Sequence, residues 1–257
     1  MPETRRQWWT RKLLLGANLA APVALLATRF QQPAVVAAAV AAHAAFAYAI
    51  MRPQCGWFGP VVTRFAPRGH DVWLTIDDGP AAAESEALAA ELQRRGVRAT
   101  FFVKGRNLAA QPATAARLLA AGHTLANHTD THPALLFWWL RPARLRRELD
   151  ACNAALHAAG VNVTRWFRAP VGLKHARLHP LLSRLEMRLI AWTVRGGDGL
   201  SAAPAEVAER VLRHAHPGAI VLLHEGRPRS NETILRSVDA LLARGFTFVI
   251  PDDAQLV

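Results

Sequence analysis

Cysteine is scarce in this chain: Cys55 and Cys152 are the only two among 257 residues. That number excludes a disulfide-built scaffold, and it neither requires nor forbids an oxidising compartment. Acidic residues are also few, 19 against 31 Lys and Arg, which leaves a net charge of +12. The shortage is uneven. Residues 1–68 hold one acidic residue against eight basic ones, and residues 69–257 hold 18 against 23. More than half of the excess therefore sits in the first quarter, beside apolar stretches. Such a distribution suits anionic lipid rather than nucleic acid, and no nucleic-acid motif accompanies it. No internal repeat or low-complexity linker divides residues 72–250, so that span reads as one continuous domain.

Polar character is thin as well. Hydrophobic residues make up 51% and the mean hydropathy is +0.08, high for a wholly soluble protein. Two apolar runs, Leu13 to Thr28 and Ala34 to Met51, carry much of that weight. As helices they span about 24 and about 27 Å, slightly under a hydrocarbon core of about 30 Å. Trp8, Trp9 and Trp57 flank them as an interfacial belt would. The runs predict a transmembrane helical hairpin, with His43 as a neutral, tolerated residue. A cleaved signal peptide is the competing reading, and it leaves the second run unexplained. Arg5, Arg6, Arg11 and Lys12 precede the first run, Arg29 alone lies in the turn, and Arg52, Arg64 and Arg68 follow the second. Positive-inside logic then puts both hairpin ends, and the domain that follows, on the cytoplasmic side of a bacterial-type inner membrane.

From Val72 onward, short β-like runs alternate with Ala-, Leu- and Arg-rich helical ones. The predicted strands are 72–76, 99–103, 124–127, 166–168, 188–194, 219–224 and 246–250. Helices are predicted near 84–95, 111–121, 142–159, 175–185, 204–214 and 231–244. This alternation predicts an α/β fold, a distorted (β/α) barrel of about seven parallel strands behind the membrane hairpin. The expected domains are 1–68, anchor and linker, and 69–257, the catalytic barrel.

Chemistry-bearing residues gather at the strand C-termini. Asp77 and Asp78 close the first strand, and His128 and His132 follow the third. Arg168-Ala169-Pro170 follow the fourth, Asp198 lies past the fifth, and His224 ends the sixth. That is the face on which barrel enzymes build their sites. Adjacent carboxylates repel, so Asp77 and Asp78 call for a metal, a histidine or an arginine nearby. Two histidines four apart share a face of one helical turn, and a carboxylate from another strand end completes a two-His, one-carboxylate set. Zinc is the natural ion, and such sets also hold iron, cobalt or other divalent ions.

These residues resemble those of the NodB-homology polysaccharide deacetylases, carbohydrate esterase family four. Thr75-Ile76-Asp77-Asp78-Gly79-Pro80 is similar to the first family motif, with Ile where Phe is usual. His128-Thr129-Asp130-Thr131-His132 meets the second, and Arg168-Ala169-Pro170 meets the third, with Val171 replacing an aromatic. Asp198 meets the fourth, with Gly199 at the tryptophan position, and Leu222-Leu223-His224 meets the fifth. The resemblance covers about residues 70–250. It implies a metal-dependent hydrolase that removes an acetyl or similar short acyl group from an N-acylated sugar of a polysaccharide or lipid-linked glycan. It further implies Asp77 as general base, His224 as general acid, and Asp78, His128 and His132 as metal ligands. Arg168 would orient Asp77, Asp198 would support protonated His224, and the Val171 backbone N–H, after Pro170, would meet the oxyanion. Leu222 would hold the acetyl methyl. Losing aromatics at Val171 and Gly199 alters the sugar groove. The competing functions are hydrolysis of a non-sugar or formylated amide, and glycan binding without catalysis.

Other features read more plainly. Trp192 reads as a core position on the fifth strand, with a substitute wall for the acetyl pocket as the alternative. Phe137-Trp138-Trp139-Leu140 and the arginines 141, 144, 146 and 147 form either a packed loop with a solvated helix or a lip that meets lipid. Glu225 stands beside His224 as a supporting or solvent-facing carboxylate. His70, His123, His157, His175, His179, His214 and His216 are expected at the surface or as caps, and Asp252-Asp253 as an exposed pair.

Overall fold

Strand β1 (Asp71–Asp77) is buried on both faces, as a central parallel strand is. The computed structural model describes residues 3–162, 165–199 and 203–257. In it, β2 (Thr100–Val103), β3 (Thr124–Asn127), β4 (Trp166–Phe167) and β5 (Arg188–Leu189) extend the sheet on one side of β1. On the other side lie β7 (Ala219–His224) and then β6 (Val194–Arg195), while the short β8 (Thr247–Phe248) pairs with the start of β1. Every pair is parallel, and the seven-strand path curls into the expected distorted barrel. Residues 62–65 run between the two ends of this path, bridging to Ile190 just past β5 and to Ala219 at the start of β7.

Period-two alternation along β1 sorts its side chains. Val72, Leu74 and Ile76 face the helices and join Phe101, Val103, Leu88 and Val221. Trp73 faces the barrel interior with Phe102, Ile220 and Leu222. Thr75 and Asp77 share that inner parity. Burying each such large apolar side chain contributes roughly 1.5–3 kcal/mol, so the register is strongly specified.

The helices are α3 (Ala83–Arg94), α4 (Gly105–Ala110), α5 (Pro112–Ala120), α6 (Pro142–Ala158), α7 (Leu178–Arg184), α8 (Pro204–His214) and α9 (Ser230–Ala243). Proline at the first position starts α5, α6 and α8, where its missing N–H costs nothing. The predicted fifth strand divides into β5 and β6, because the Ile190 and Ala191 carbonyls turn to Arg168 instead of a ladder partner.

Two helices precede the barrel, α1 (Arg5–Ala27) and α2 (Pro33–Met51). They pack through small residues, Ala17, Ala21 and Ala24 facing Ala38, Ala39 and Ala42, with Asn18 Nδ2 donating to Ala42 O at 3.1 Å. By length and composition α2 can cross a membrane, with a mean hydropathy of 2.0 over its most apolar window. Among the described residues it is the one helix that meets this measure. The connection that follows is built into the barrel: Phe58, Val62 and Phe65 are buried. Three histidines expected at the surface, His123, His175 and His179, are instead buried. Burial pushes His123 down to about 4 and His179 to about 3, so both serve as neutral packing groups. Asp253 is also tied down, its carboxylate accepting from Trp166 Nε1 at 3.2 Å and Arg165 at 3.1 Å.

Candidate active site

The β1–β7 register sets Asp77 directly opposite His224, at neighbouring strand ends. Asp77 points inward, and Asp78, the first residue past the strand, adopts a left-handed φ of 79° that re-aims its carboxylate. Thr129, His132 and Val171 are left-handed too, with φ of 68°, 52° and 48°. For non-glycine residues such geometry is costly and concentrates where structure serves a site.

Arg168 is fully buried and organises the inner wall. Its Nη1 donates to Asp77 Oδ1 at 2.7 Å and to Thr75 Oγ1 at 2.8 Å, while Nε and Nη2 donate to the carbonyls of Ile190 and Ala191. The guanidinium also stacks 4.1 Å over the Phe102 ring. A buried charge is tolerable only when matched in this way. Asp77 thereby spends Oδ1 on Arg168 and keeps Oδ2 towards the pocket, 3.7 Å from His128 Nε2.

The histidine segment departs from expectation: residues 128–133 are a loop rather than a helical turn. Asn127 Oδ1 accepts from Thr129 N at 2.8 Å, Thr129 Oγ1 accepts from His132 N at 3.0 Å, and Glu148 accepts from both Thr131 N and Thr131 Oγ1. These bonds replace the helical ones and still bring the imidazoles to 4.8 Å between centroids. His128 Nδ1 lies 2.8 Å from Arg168 O, which leaves Nε2 free towards the site.

Asp78, His128 and His132 each offer a donor atom, all within 4.8 Å of one another. The donor chemistry fits a divalent ion. Burial, then the charge of His128, holds His132 down at about 4, so it is neutral near pH 7. Burial opposes ionisation of Asp78, but His128, His132 and Lys104 together outweigh it and hold its carboxyl well below the usual range. Two imidazole donors and one carboxylate are the ligand types that such ions take.

Across the pocket, Asp198 clamps His224, accepting from its backbone N at 2.7 Å and lying 2.9 Å from its Nδ1. Burial disfavours the imidazolium, yet the Asp198 hydrogen bond and charge prevail and raise the His224 pKa. Val171, Leu222 and Trp192 complete an apolar side of a cavity of about 220 Å³, and Pro170 is buried behind Val171. Trp192, read from the sequence as core or as a substitute pocket wall, is both buried and part of the lining.

Three contributors escaped the sequence reading, and a fourth, Glu225, read there as supporting or solvent-facing, proves to be buried. Lys104 follows β2 and places Nζ 3.6 Å from Asp78 Oδ1, a strand-end position that the same barrel rule could have flagged. Arg227 donates to Asp78 Oδ2 at 3.1 Å and to Gly199 O at 3.2 Å from a loop with no periodic signal. Arg195 lines the cavity from the end of β6. Glu225 is buried against the 79–85 turn, where Ser85 donates to it and Ser85 Oγ accepts from Ala81 N at 2.7 Å. Burial lifts the Glu225 carboxyl to about 7.

The polysaccharide deacetylase family profile matches residues 66–190. The chitooligosaccharide deacetylase of Bradyrhizobium sp. (strain ANU 289) is 35% identical over 186 residues, covering 71% of this chain and 84% of that protein. The chitooligosaccharide deacetylase of Sinorhizobium fredii is 32% identical over 167 residues, covering 65% and 77%. Among solved structures, a family 4 carbohydrate esterase from Streptomyces lividans in complex with acetate superposes with a TM-score of 0.67 at 26% identity, over 75% of this chain and 98% of that one. A carbohydrate esterase family four pseudoenzyme from Bacillus anthracis gives 0.65 at 29%, over 74% and 66%. Identity at this level across most of a relative's length, joined to the same barrel, settles the kinship: the chain belongs to the polysaccharide deacetylase family, hydrolases of carbon–nitrogen bonds other than peptide bonds.

Proposed function

We propose that the protein is a divalent-metal-dependent deacetylase that hydrolyses the acylamide of an N-acylated sugar carried on a glycan or on a lipid. The observation that carries this is the register that sets Asp77 against His224, with Asp78, His128 and His132 clustered beside them. An ion held by Asp78, His128 and His132, zinc by preference, supplies positive charge against a developing oxyanion and acidifies the attacking water. Asp77 takes the water proton at Oδ2, because Oδ1 is engaged by Arg168. The oxyanion is met by the Val171 N–H, presented by the left-handed turn after Pro170. His224, doubly protonated, keeps its Nδ1 proton on Asp198 and delivers the Nε2 proton to the departing amine. Leu222 and Trp192 offer the acyl methyl an apolar wall.

Residues 1–68 serve in this reading as anchor and linker, and 69–257 as the deacetylase domain. The anchor is a two-span hairpin in a bacterial-type inner membrane that keeps the domain on the cytoplasmic side. Leu13, Leu19, Val23 and Leu26 on α1 and Val40 on α2 are exposed, as lipid-facing residues would be. Leu135, Leu136 and Trp139 stand 72%, 69% and 74% exposed beside the histidine loop, an apolar lip suited to a lipid-linked substrate. The presence of base, acid and a full ligand set argues against a purely glycan-binding role.

Mass spectrometry after incubation with bacterial membrane lipids and, separately, with chitooligosaccharides tests the reaction. Loss of one acetyl mass is expected from at least one of them. Loss of a formyl group alone would move the protein to the formamide alternative. Liposome flotation of a hairpin-deleted domain tests the lip: the Trp138→Ala/Trp139→Ala variant should float less, and equal flotation would remove lipid contact from the account.

A further inference from the structure

The charges around the pocket do not balance for a neutral sugar. Asp77 is matched by Arg168 at 2.7 Å, and Asp198 by His224 at 2.9 Å. Asp78, with the buried Glu225 carboxylate behind it, then makes two negative charges against three cations: Lys104 at 3.6 Å and Arg227 at 3.1 Å from Asp78, and Arg195 on the same cavity. The excess is positive before any metal ion is counted. An N-acetyl sugar without a charged substituent offers nothing to pair with it.

The geometry at residue 199 explains how one of these cations, Arg227, comes to stand there. A Cβ built on Gly199 would lie 3.3 Å from Arg227 Nη1, so even an alanine would crowd the guanidinium. Glycine leaves that space to Arg227, whose Nη1 is held by the Gly199 carbonyl at 3.2 Å. Where the family pattern has an aromatic wall, this chain has a cation anchored by backbone. Arg227 and Arg195 remain partly solvent-exposed, within reach of a substituent at the pocket mouth. Planar guanidinium forks suit phosphate oxygens, which accept two parallel hydrogen bonds from each.

We propose that the substrate is a phosphorylated N-acyl sugar, whose phosphoryl group is bound at the pocket mouth by Arg195 and Arg227. This inference rests on the deacetylase reading for the reaction, but the charge excess stands apart from it. The phosphoryl group would belong either to a free sugar phosphate, a monoester, or to a lipid-linked sugar, a diester. Lys104 adds long-range attraction without requiring contact.

The test uses the full chain in detergent and three probes: the methyl glycoside of N-acetylglucosamine, N-acetylglucosamine 1-phosphate, and its short alkyl phosphodiester. Either phosphorylated probe should exceed the neutral one by about tenfold or more in kcat/KM, the worth of one charge-assisted pair of hydrogen bonds. Arg195→Gln and Arg227→Gln should each shrink that ratio, chiefly through KM, and Arg195→Lys should restore part of it. A preference confined to the monoester assigns a sugar phosphate, and one that extends to the diester assigns a lipid-linked sugar; both sustain the inference. Calorimetric binding of the same probes to the Asp77→Asn variant gives a readout that needs no turnover. If no probe is hydrolysed yet the phosphorylated ones bind about tenfold tighter, the deacetylase reading falls and the phosphoryl site stands. If neutral and phosphorylated probes bind and react alike, or the arginine variants weaken all three equally, the phosphoryl site is wrong.

Discussion

The barrel mouth and the helical hairpin are held by opposite means. At the mouth a buried guanidinium, Arg168, is matched donor by donor: to a carboxylate, a hydroxyl, two carbonyls and the face of an aromatic ring. In the hairpin, alanines from two helices meet across a cleft, and Asn18 supplies a polar link at 3.1 Å. Networks of the first kind make each member irreplaceable, since removing one strands the others in low dielectric. Small-residue packing of the second kind spreads its energy over many weak contacts. Substitutions should therefore be severe at the mouth and mild in the hairpin.

The largest expected effect is at Arg168. Arg168→Met leaves Asp77 buried without its partner and should cost about 3–5 kcal/mol in denaturant unfolding, with activity lost. A variant of near-wild-type stability would mean that the network is not what holds the mouth together. Next comes Asp198. With protonated His224 as the proposed acid, activity should decline as pH rises through its raised pKa. Asp198→Asn removes the largest raising influence and leaves only Asp77 and Asp78 against burial, so the decline should begin at lower pH, with kcat reduced by about 10² or more. An unshifted basic limb would detach Asp198 from His224. The smallest effect belongs to the hairpin: Asn18→Leu should lower its stability in bilayer or micelle by only about 0.6 kcal/mol, read by steric trapping or thermal melting. A loss as large as that at Arg168 would erase the contrast.

The same contrast governs how much could be read from the sequence. Strand ends at the mouth were legible because period-two runs of Val, Ile, Trp and Phe stop at Asp, His or Arg, and a barrel turns such stops into one face. Asp77, Asp78, His128, His132, Arg168, Asp198 and His224 do converge there. The local shape of the histidine segment was not legible. Thr129 and His132 are left-handed because Asn127, Thr129 and Glu148 capture backbone N–H groups, and side-chain capture of this kind leaves no periodic trace. Arg227 and Lys104 were missed because cations near strand ends look like ordinary surface charge until Asp78 is placed between them. His123 and His179 look like surface residues in sequence, and only packing reveals them as neutral core groups. In the hairpin, alanine-rich composition is the difficulty itself: α2 is apolar enough to span a membrane, whereas α1 starts among Arg5, Arg6, Arg11 and Lys12 and does not meet the same measure.

The central claim is that the two neighbouring carboxylates divide their labour, Asp78 holding the ion and Asp77 moving the proton. Metal content and acyl release, measured together on Asp77→Asn and Asp78→Asn, test it most directly. The account predicts that Asp77→Asn keeps about one divalent ion per chain while losing activity by about 10²–10⁴, and that Asp78→Asn loses ion and activity together. An Asp77→Asn protein that is metal-free, or one that still releases acetate at the wild-type rate, would contradict it.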